Sequence, residues 1–412
     1  MAAYNSVCRS GKLSLGCFLL FILFASFVLL RTVQNDVMDM YDCAVERGAA
    51  TAAAASAERP AYAAKVASSD KSQYDGIPND GVLQSSLGLT GTKNPLAGFG
   101  GFFDVAQLNI QNVHHDPPFF MTSTTPQGTI QSDYSGESHL FRLMTRVIQM
   151  ALKLNPAEGP QVLDAGANQG WYSLTAGVSG ARYVYSFEPQ PHLQKIMRMS
   201  ARLNLVDDRI FIYPNAVLDT RIKARVKMSG DGGIAHIVGK RDFEVESVRL
   251  DEIKRHLPSQ PIAYLKVDIE GFEVAGIRSA AGLFEKSLVR NVVVEWGPPA
   301  RWAQFKSSDV PAALSLLNDM HLRYGFELAV LPSAGFASLV EQKVGEVRNL
   351  GPVSQMIAIG VASYEALMTS LDTVGELYLW FYQPSDQLNI MLLEELENLP
   401  ATYDATGRPQ VD

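Results

Sequence analysis

Cysteine is almost absent from this sequence and is confined to its beginning. The three cysteines are Cys8, Cys17 and Cys43, and residues 44–412 contain none. Disulfides stabilise many small secreted domains, but most of this chain has to fold without them, even in an oxidising compartment. The Asn-X-Ser/Thr acceptor site for N-glycosylation is also missing from the sequence.

An excess of basic charge is lacking too. The chain of 412 residues has 35 Lys and Arg against 43 Asp and Glu, which gives a formal net charge of −8. Proteins that bind nucleic acid usually concentrate positive charge to neutralise phosphates, so the composition predicts no nucleic-acid partner. The apolar share of 47% is sufficient for a hydrophobic core.

Charge is missing altogether from residues 13–30. At about 1.5 Å per residue this run spans ~27 Å as a helix, which suits the bilayers of the early secretory pathway. Arg9 and Lys12 precede the run without an acid, so residues 1–12 are predicted to be a cytosolic tail. A cleavable signal peptide is the alternative, but residues 31–34 offer no small-residue cleavage site. The pattern predicts an uncleaved signal anchor, and therefore a single-pass type II membrane protein whose partner is the lipid bilayer.

Residues 44–95 are rich in Ala, Ser and Gly, and residues 31–95 are therefore predicted to form a flexible stem. An anchor, a stem and a globular domain are typical of many Golgi-resident glycan-modifying enzymes, so by analogy we expect a Golgi enzyme with a lumenal catalytic domain. An irregular lead-in, residues 96–134, follows and contains His114, His115 and Asp116. Adjacent histidines point in different directions, so a surface loop is favoured over a metal site.

Residues 161–173 combine a short apolar run, an acid, two glycines and a potential helix start. This is the strand–turn–helix pattern of a nucleotide-type site, with Asp164, Gly166 and Gly170 as candidate cofactor-binding residues. A dinucleotide fingerprint needs two further glycines, where this chain has Asn168 and Trp171. A nicotinamide-dependent oxidoreductase is therefore the less favoured alternative.

A second acid, Glu188, ends the next predicted strand. It follows Gly170 by 18 residues, where a carboxylate can accept hydrogen bonds from both hydroxyls of a ribose. Together, the departures from the dinucleotide pattern and this acid indicate an adenosyl cofactor without a pyrophosphate.

Three segments in this order resemble the FkbM family of S-adenosylmethionine-dependent methyltransferases. They read VLDAGANQGWYS, YSFEPQP and YLKVDIEGFE, and the resemblance covers roughly residues 135–361. It implies S-adenosylmethionine as cofactor and an oxygen acceptor, often a sugar hydroxyl. It also implies that Asn215 and Ala216 approach the adenine. Glu137, at the usual entry into the family's fold, either approaches the cofactor or stabilises a helix dipole.

Strands and helices alternate across this region, which predicts an α/β fold. Strands are predicted at 161–164, 183–187, 210–213, 262–267 and 292–295, and helices at 135–155, 170–178, 192–203 and 311–320. We expect a Rossmann-like class I methyltransferase fold, with a mostly parallel sheet, helices on both faces and an antiparallel last strand. The predicted final strands, 324–331 and 353–361, would form an antiparallel pair. Residues 364–412 would then be an extension of the domain at 135–363, with its aromatic group packed on the domain or on a partner.

The second acidic block supplies the candidate catalytic groups. An alcohol acceptor has to lose its proton during methyl transfer, so a base or a metal is needed. Asp268, which also lies where the cofactor is expected, is the first candidate base, and His236 in a glycine-rich loop is the second. A divalent metal on Asp268, Glu270 or Glu295 is the alternative to a base. Glu273 is either solvated or partnered, and a non-catalytic scaffold that keeps the fold is the alternative to an enzyme.

Overall fold

The fold is built around one nine-stranded sheet, accompanied by a two-stranded and a three-stranded sheet. The computed structural model describes residues 109–123, 129–226, 243–256, 260–350 and 355–398. Within these ranges the strands are β1 (Asn109–Val113), β2 (Phe119–Ser123), β3 (Gln161–Ala165), β4 (Tyr183–Phe187), β5 (Ile210–Tyr213), β6 (Ala216–Val217), β7 (Lys223–Val226), β8 (Phe243–Val248), β9 (Ile262–Val267), β10 (Asn291–Trp296), β11 (Glu327–Leu331), β12 (Glu346–Asn349), β13 (Gln355–Ile359) and β14 (Leu377–Tyr382).

Ten α-helices connect or follow these strands in the described ranges. They are α1 (Thr129–Leu154), α2 (Trp171–Val178), α3 (Pro191–Leu203), α4 (Glu273–Arg278), α5 (Ala281–Phe284), α6 (Pro299–Phe305), α7 (Val310–Leu322), α8 (Phe336–Glu341), α9 (Tyr364–Val374) and α10 (Gln387–Asn398). The predicted strands and helices of residues 161–213 and 262–322 all occur, with ends that differ by at most a few residues.

The large sheet has the strand order β12-β13-β11-β14-β10-β9-β3-β4-β5. The five strands β10, β9, β3, β4 and β5 are parallel neighbours, whereas β13 and β14 run in the opposite direction. The chain leaves β3 towards β4 and β5 and later returns to place β9 on its other side. Open α/β sheets bind ligands at such a switch point, beyond the carboxyl ends of the strands.

Side-chain alternation along the strands creates a hydrophobic core on each face of the sheet. In β3, for example, Val162 faces the core formed with α1, α2, α3 and α10, and Leu163 faces the core formed with α4 to α9. Helices therefore cover both faces, as predicted. The same alternation turns Asp164, the residue between Leu163 and Ala165, towards α1 and α2.

The predicted C-terminal extension contains an internal strand of the sheet, β14. The prediction that the last strands of the sheet lie before residue 364 is therefore wrong. β14 lies between β10 and β11 and pairs antiparallel with both. Trp380 is fully buried, and its indole Nε1 donates a hydrogen bond to Asn291 Oδ1 over 2.9 Å. The last strand is antiparallel as predicted, but the sheet continues beyond residue 363. The predicted antiparallel pair is confirmed as β11 and β13, with α8 and β12 between them.

The predicted irregular lead-in is partly regular. β1 and β2 pair as an antiparallel hairpin, and α1 begins at Thr129, earlier than the predicted residue 135. The surface-loop prediction is wrong for His115, which is buried. Its Nδ1 lies 2.8 Å from Tyr134 Oη and its Nε2 lies 2.8 Å from Thr145 Oγ1. Burial lowers the pKa of His115 to about 4, so the ring is neutral at pH 7.

Two of the predicted features fall on undescribed parts of the chain. The anchor at 13–30, with its tail and stem, lies outside the described residues, and so does His236. Of the helices that the structure describes, none has the length and apolar character that crossing a membrane requires.

Candidate active site

The turn after β3 is held between the end of β4 and the residue that follows β9. The amides of Gly166 and Ala167 both donate to the Phe187 carbonyl, over 3.0 and 2.9 Å. Gly166 has φ +84°, and a Cβ at this position would lie 1.6 Å from the Asp268 carbonyl oxygen. Only glycine fits there, because a side chain would collide with the backbone of the neighbouring strand.

The two departures from the dinucleotide fingerprint have structural counterparts. Asn168 adopts a left-handed conformation with φ 51°, which asparagine tolerates better than most residues. Trp171 begins α2, and its ring stacks on Phe141 with centroids 5.8 Å apart. Gly170 precedes the helix with φ +99°, and a Cβ there would lie 2.6 Å from Met197 Cγ. The third glycine of the usual pattern is thus replaced by a large ring that packs against α1.

Glu188 lies at the end of β4 and connects two turns. Its Oε2 accepts a hydrogen bond from the Asn168 amide over 2.9 Å, and its Oε1 accepts one from the Gln190 amide over 2.8 Å. The side chain is almost completely buried, and burial raises its pKa to about 7 despite these two bonds. Each carboxylate oxygen has a further lone pair, so the predicted role as a ribose ligand stays chemically open.

Asp164 lies beneath the glycine turn and is completely buried. Its Oδ2 accepts a hydrogen bond from Ser173 Oγ over 2.6 Å, whereas its Oδ1 has no hydrogen-bond partner among the residues that the structure describes. Burial raises the pKa of Asp164, and the nearby Lys266 ammonium opposes that rise. An unpaired carboxylate oxygen in such a position is costly unless a ligand or water donates to it.

Glu137 connects α1 to α2 and to β14 through hydrogen bonds. Its Oε2 accepts a hydrogen bond from Tyr172 Oη over 2.8 Å, and its Oε1 accepts one from Tyr378 Oη over 2.9 Å. Burial raises the pKa of Glu137, although the Lys266 ammonium and the two hydroxyls act in the opposite direction. The alternative of a helix-terminal acid is wrong, because α1 begins at Thr129 and Glu137 lies well inside it.

A cleft opens where these elements meet. It encloses about 610 Å³, including the solvent space at its mouth. Six of the predicted residues line it, namely Gly166, Asn168, Glu188, Asn215, Ala216 and Asp268. A seventh is Glu270, a candidate metal ligand. Prediction missed the other lining residues, namely Phe187, Pro189, Gln190, Val217, Leu218, Ile269 and Phe272. Three further predicted residues, Glu137, Asp164 and Gly170, are not part of this lining.

The acidic block after β9 places its members in different environments. Asp268 Oδ2 accepts a hydrogen bond from Lys266 Nζ over 2.9 Å and faces the cleft. Glu270 also lines the cleft, in a left-handed conformation with φ 56°, and burial together with the Asp268 charge raises its pKa to about 7. Glu273 is fully buried, and its Oε1 accepts a hydrogen bond from the Gly271 amide over 2.7 Å. Of the two alternatives for Glu273, the partnered one is therefore correct.

Glu295 is the penultimate residue of β10, the other neighbour of β9, and forms an ion pair with Arg301. Arg301 Nη1 donates to Glu295 Oε2 over 2.9 Å, and its Nη2 donates to Glu376 at the start of β14. Burial, with the Asp268 and Glu376 charges nearby, raises the pKa of Glu295. In the described ranges, His, Cys, Asp and Glu side chains nowhere form a group of three or more that could hold a metal ion.

Comparison with known protein families identifies the domain that contains this site. Residues 164–328 match the family model of the methyltransferase FkbM domain. This part of the chain is an FkbM methyltransferase domain. It begins at the buried Asp164 and ends within β11, so it contains the glycine turn, Glu188 and Asp268. No curated protein sequence matches the chain.

Solved structures with distant similarity carry related names. One is a SAM-dependent methyltransferase from Agrobacterium tumefaciens, at 8% identity and a TM-score of 0.36, covering 68% of this chain and 71% of that one. Another is an O-methyltransferase from Bacillus cereus with SAH, at 9% identity and 0.30, covering 62% and 92%. A Streptococcus mutans protein described as a methyltransferase, also with SAH, has 8% identity and 0.32, covering 60% and 97%. The assignment rests on the family match alone.

The cofactor of the FkbM domain is S-adenosylmethionine, and the residues present fit it. Glu188 offers a carboxylate at the distance along the chain that suits a ribose. Gly166 leaves room where a Cβ would collide with a backbone atom, and Asp164 Oδ1 is an acceptor without a partner among the described residues. Phe187, Ile269 and Phe272 supply apolar walls for an aromatic base.

Several residues of the site escaped the sequence reasoning. Tyr378 comes from β14, whose place in the sheet the sequence did not reveal, and Arg301 comes from a short helix. Lys266 could have been predicted, because a lysine within the apolar strand IAYLKV needs a buried partner. Its spacing of two from Asp268 places both side chains on the same face of the strand.

Proposed function

We propose that the protein is an S-adenosylmethionine-dependent O-methyltransferase that acts on a hydroxyl of a glycan or of another small molecule of the secretory pathway. The observation that carries this proposal is the cleft of the FkbM domain, where the glycine turn, Glu188 and Asp268 meet. The strand order supports a direction for the donor. Its adenosyl end would lie at Glu188 and Asn215, and its methyl group towards Asp268.

Two carboxylates of the cleft support a hydroxyl acceptor. Asp268 is paired with Lys266, whereas Glu270 is only loosely associated with Arg301, whose Nη1 lies 3.9 Å from Glu270 Oε2. A base works best when its pKa is close to the working pH, which favours Glu270, with its pKa of about 7, as proton acceptor over Asp268, whose carboxylate is already paired with an ammonium. His236 keeps its place as a further candidate from the sequence.

An aromatic pair beside these carboxylates supports a sugar-like acceptor. The rings of Phe272 and Phe305 stack with centroids 5.6 Å apart, and Phe272 lines the cleft. Carboxylates accept strong hydrogen bonds from hydroxyl groups, and an aromatic face packs against the apolar side of a ring. A polyhydroxylated ring matches both surfaces at once.

The donor is tested by calorimetry of the purified protein with S-adenosylmethionine, S-adenosylhomocysteine and a nicotinamide dinucleotide. Binding of the first two and not the third is expected, and the reverse would establish the oxidoreductase alternative. Binding without any methyl transfer to an acceptor panel would support the scaffold alternative.

The acceptor is tested with methyl-labelled donor and a panel of oligosaccharides. Label that resists mild alkali is expected, because a methyl ether survives treatment that cleaves a methyl ester. Alkali-labile label would show transfer to a carboxylate instead and would contradict O-methylation of a hydroxyl.

The charge-free run at residues 13–30 and the basic residues before it support a membrane anchor with the catalytic domain in the lumen, in the Golgi by analogy. Protease treatment of sealed microsomes tests the orientation, and protection of the C-terminal domain until detergent is added is expected. Digestion without detergent would contradict it. A mature amino terminus found beyond residue 30 would contradict the anchor.

A further inference from the structure

Lys266 is a buried lysine that touches two walls of the candidate active site at once. It belongs to β9, where it pairs in register with Asp164 of β3, and only 6% of its surface is exposed. Its Nζ lies 2.9 Å from Asp268 Oδ2 and 3.3 Å from the Gly166 carbonyl oxygen, and 4.5 Å above the centre of the Tyr172 ring. One ammonium thus connects the glycine turn, the acid after β9 and the first turn of α2.

The surroundings keep this ammonium charged. Burial alone acts to lower the pKa of Lys266, but the carboxylates of Asp268, Asp164 and Glu137 together raise it above its usual value. The Tyr172 ring adds a cation–π contact. A buried cation with partners on three elements resists displacement, because moving it would leave acids without a counter-ion.

The order of the strands indicates which part of the donor reaches Lys266. From the edge inwards the sheet runs β5, β4, β3, β9. The predicted adenine contacts, Asn215 and Ala216, follow β5, and the predicted ribose ligand Glu188 follows β4. A donor extended along this edge passes Gly166 after β3 and brings its amino-acid end to Asp268 after β9. Asp164, whose Oδ1 has no hydrogen-bond partner among the residues that the structure describes, precedes Gly166 by two residues at the end of β3.

We propose that Lys266 is a positioning residue, which holds the Gly166 carbonyl and the Asp268 carboxylate in the one arrangement that forms the subsite for the amino-acid end of the donor. The inference rests on the proposed function. It assigns Lys266 no contact with the acceptor and no part in proton transfer. Its effect should therefore be visible in binding, before any acceptor is known.

Two compounds separate this subsite from the adenosine subsite. S-adenosylhomocysteine carries the amino-acid end, and 5′-methylthioadenosine has the same adenosine and sulfur without it. Calorimetry of the full-length protein compares both compounds in the wild type, Lys266→Met, Lys266→Arg, Asp268→Asn and the double variant Lys266→Met/Asp268→Asn. Methionine approximates the volume of lysine without its charge.

Lys266→Met is expected to lower the affinity for S-adenosylhomocysteine about tenfold to a hundredfold, which is the usual effect of losing a charge-assisted contact. Its affinity for 5′-methylthioadenosine should stay within about twofold of the wild type, which also shows that the fold is intact. The double variant should lose no more than the weaker-binding single variant, since both changes disrupt one arrangement. Lys266→Arg should recover part of the loss, because it keeps the charge but not the point-like geometry.

Each of four results would overturn the proposal. Equal weakening of both compounds by Lys266→Met would show a general structural role, and unchanged affinities would show that Lys266 is dispensable. If Lys266→Met does not fold, Asp268→Asn still tests the proposal. If its affinities for S-adenosylhomocysteine and 5′-methylthioadenosine have the same ratio as in the wild type, the subsite is contradicted. Wild-type protein that binds neither compound would instead contradict the proposed function itself and the inference with it.

Discussion

Glu188 shows how far a single residue can be read from the sequence. Its spacing from the glycine turn predicts that it binds a ribose. This prediction says nothing about how the carboxylate contacts the rest of the protein. The structure adds that both oxygens already accept backbone amides, from Asn168 and Gln190, so the same carboxylate also fixes the two turns that border the cleft. Those hydrogen bonds depend on where the backbone N–H groups point, which cannot be deduced from the order of the residues.

Glu188→Gln is expected to weaken S-adenosylhomocysteine binding about tenfold to over a hundredfold. An amide keeps one acceptor oxygen, and its NH₂ group would face a backbone N–H donor. Loss of one charge-assisted hydrogen bond costs roughly 1.5–3 kcal/mol. Calorimetry gives the affinity, and Glu341→Gln, a change at an exposed glutamate, is the matched control. Equal affinities of Glu188→Gln and the control would remove Glu188 from the cofactor site.

Gly166 and Gly136 differ in how much room each leaves for a side chain. Gly166 has φ +84°, with the Asp268 carbonyl where a Cβ would be, whereas Gly136 lies in α1 with nothing within 4 Å of its Cβ position. Gly166→Ala should lower the free energy of unfolding by about 2 kcal/mol or more. Gly136→Ala should leave it equal or raise it by up to ~1 kcal/mol. Urea unfolding measures both, and similar midpoints for the two variants would contradict the tight turn.

At the level of elements, local pattern predicted the parallel half of the sheet well. The runs that became β3, β4, β9 and β10 are short, largely apolar and directly followed by an acid or a glycine, and strands buried on both faces have this composition. β14 has the same character, LYLWFY, but a run that is apolar at every position has no periodicity to distinguish a strand from a buried helix. Its place between β10 and β11 is set by pairing with residues about 50 to 90 positions away.

A chain that ends at residue 363 is therefore expected not to fold. It lacks β14, so β10 and β11 lose the strand that joins them, and the buried Trp380 and Phe381 are removed from both cores. A chain that ends at residue 398 keeps every described element and is the control. Circular dichroism during heating should show a cooperative transition for the longer chain alone. Cooperative unfolding of the shorter chain would mean that the sheet is stable without its internal strand.

For the molecule as a whole, acids gather at the carboxyl ends of the parallel strands. Burial raises the pKa of Glu188, Glu270 and Glu273 to about 7 in each case, and no two of these residues belong to the same strand or helix. The sequence showed the acids but not their burial. For Glu273, burial depends on α6, whose Trp302 donates its indole N–H to Glu273 Oε2 over 3.3 Å.

Raised carboxyl pKa values make the fold more stable at lower pH. The folded protein binds protons that the unfolded chain, with a glutamate pKa near 4.5, has already released. This stabilisation is complete below pH ~4.5 and is lost as the pH rises through about 7. His115 and His139 act in the opposite direction below pH 6.5, because burial lowers their pKa to about 4. An unfolded histidine is half protonated at pH 6.5 and almost entirely neutral at pH 8, so in this window the histidines offset only part of the slope that the glutamates produce.

The free energy of unfolding should accordingly fall between pH 6.5 and 8, by about 0.8 kcal/mol for each group with a folded pKa of about 7. Glu273→Gln keeps an acceptor for the Gly271 amide and removes one of these titrations, so its pH profile should be flatter than that of the wild type by that amount. Urea unfolding at a series of pH values measures the slope, with the exposed Glu341→Gln expected to run parallel to the wild type. Since Glu273 lies outside the cleft lining, a flatter profile reports burial rather than ligand binding. A Glu273→Gln profile parallel to the wild type would show that this carboxyl titrates alike in the folded and unfolded chain, and that its hydrogen bonds, rather than protonation, offset the cost of burial.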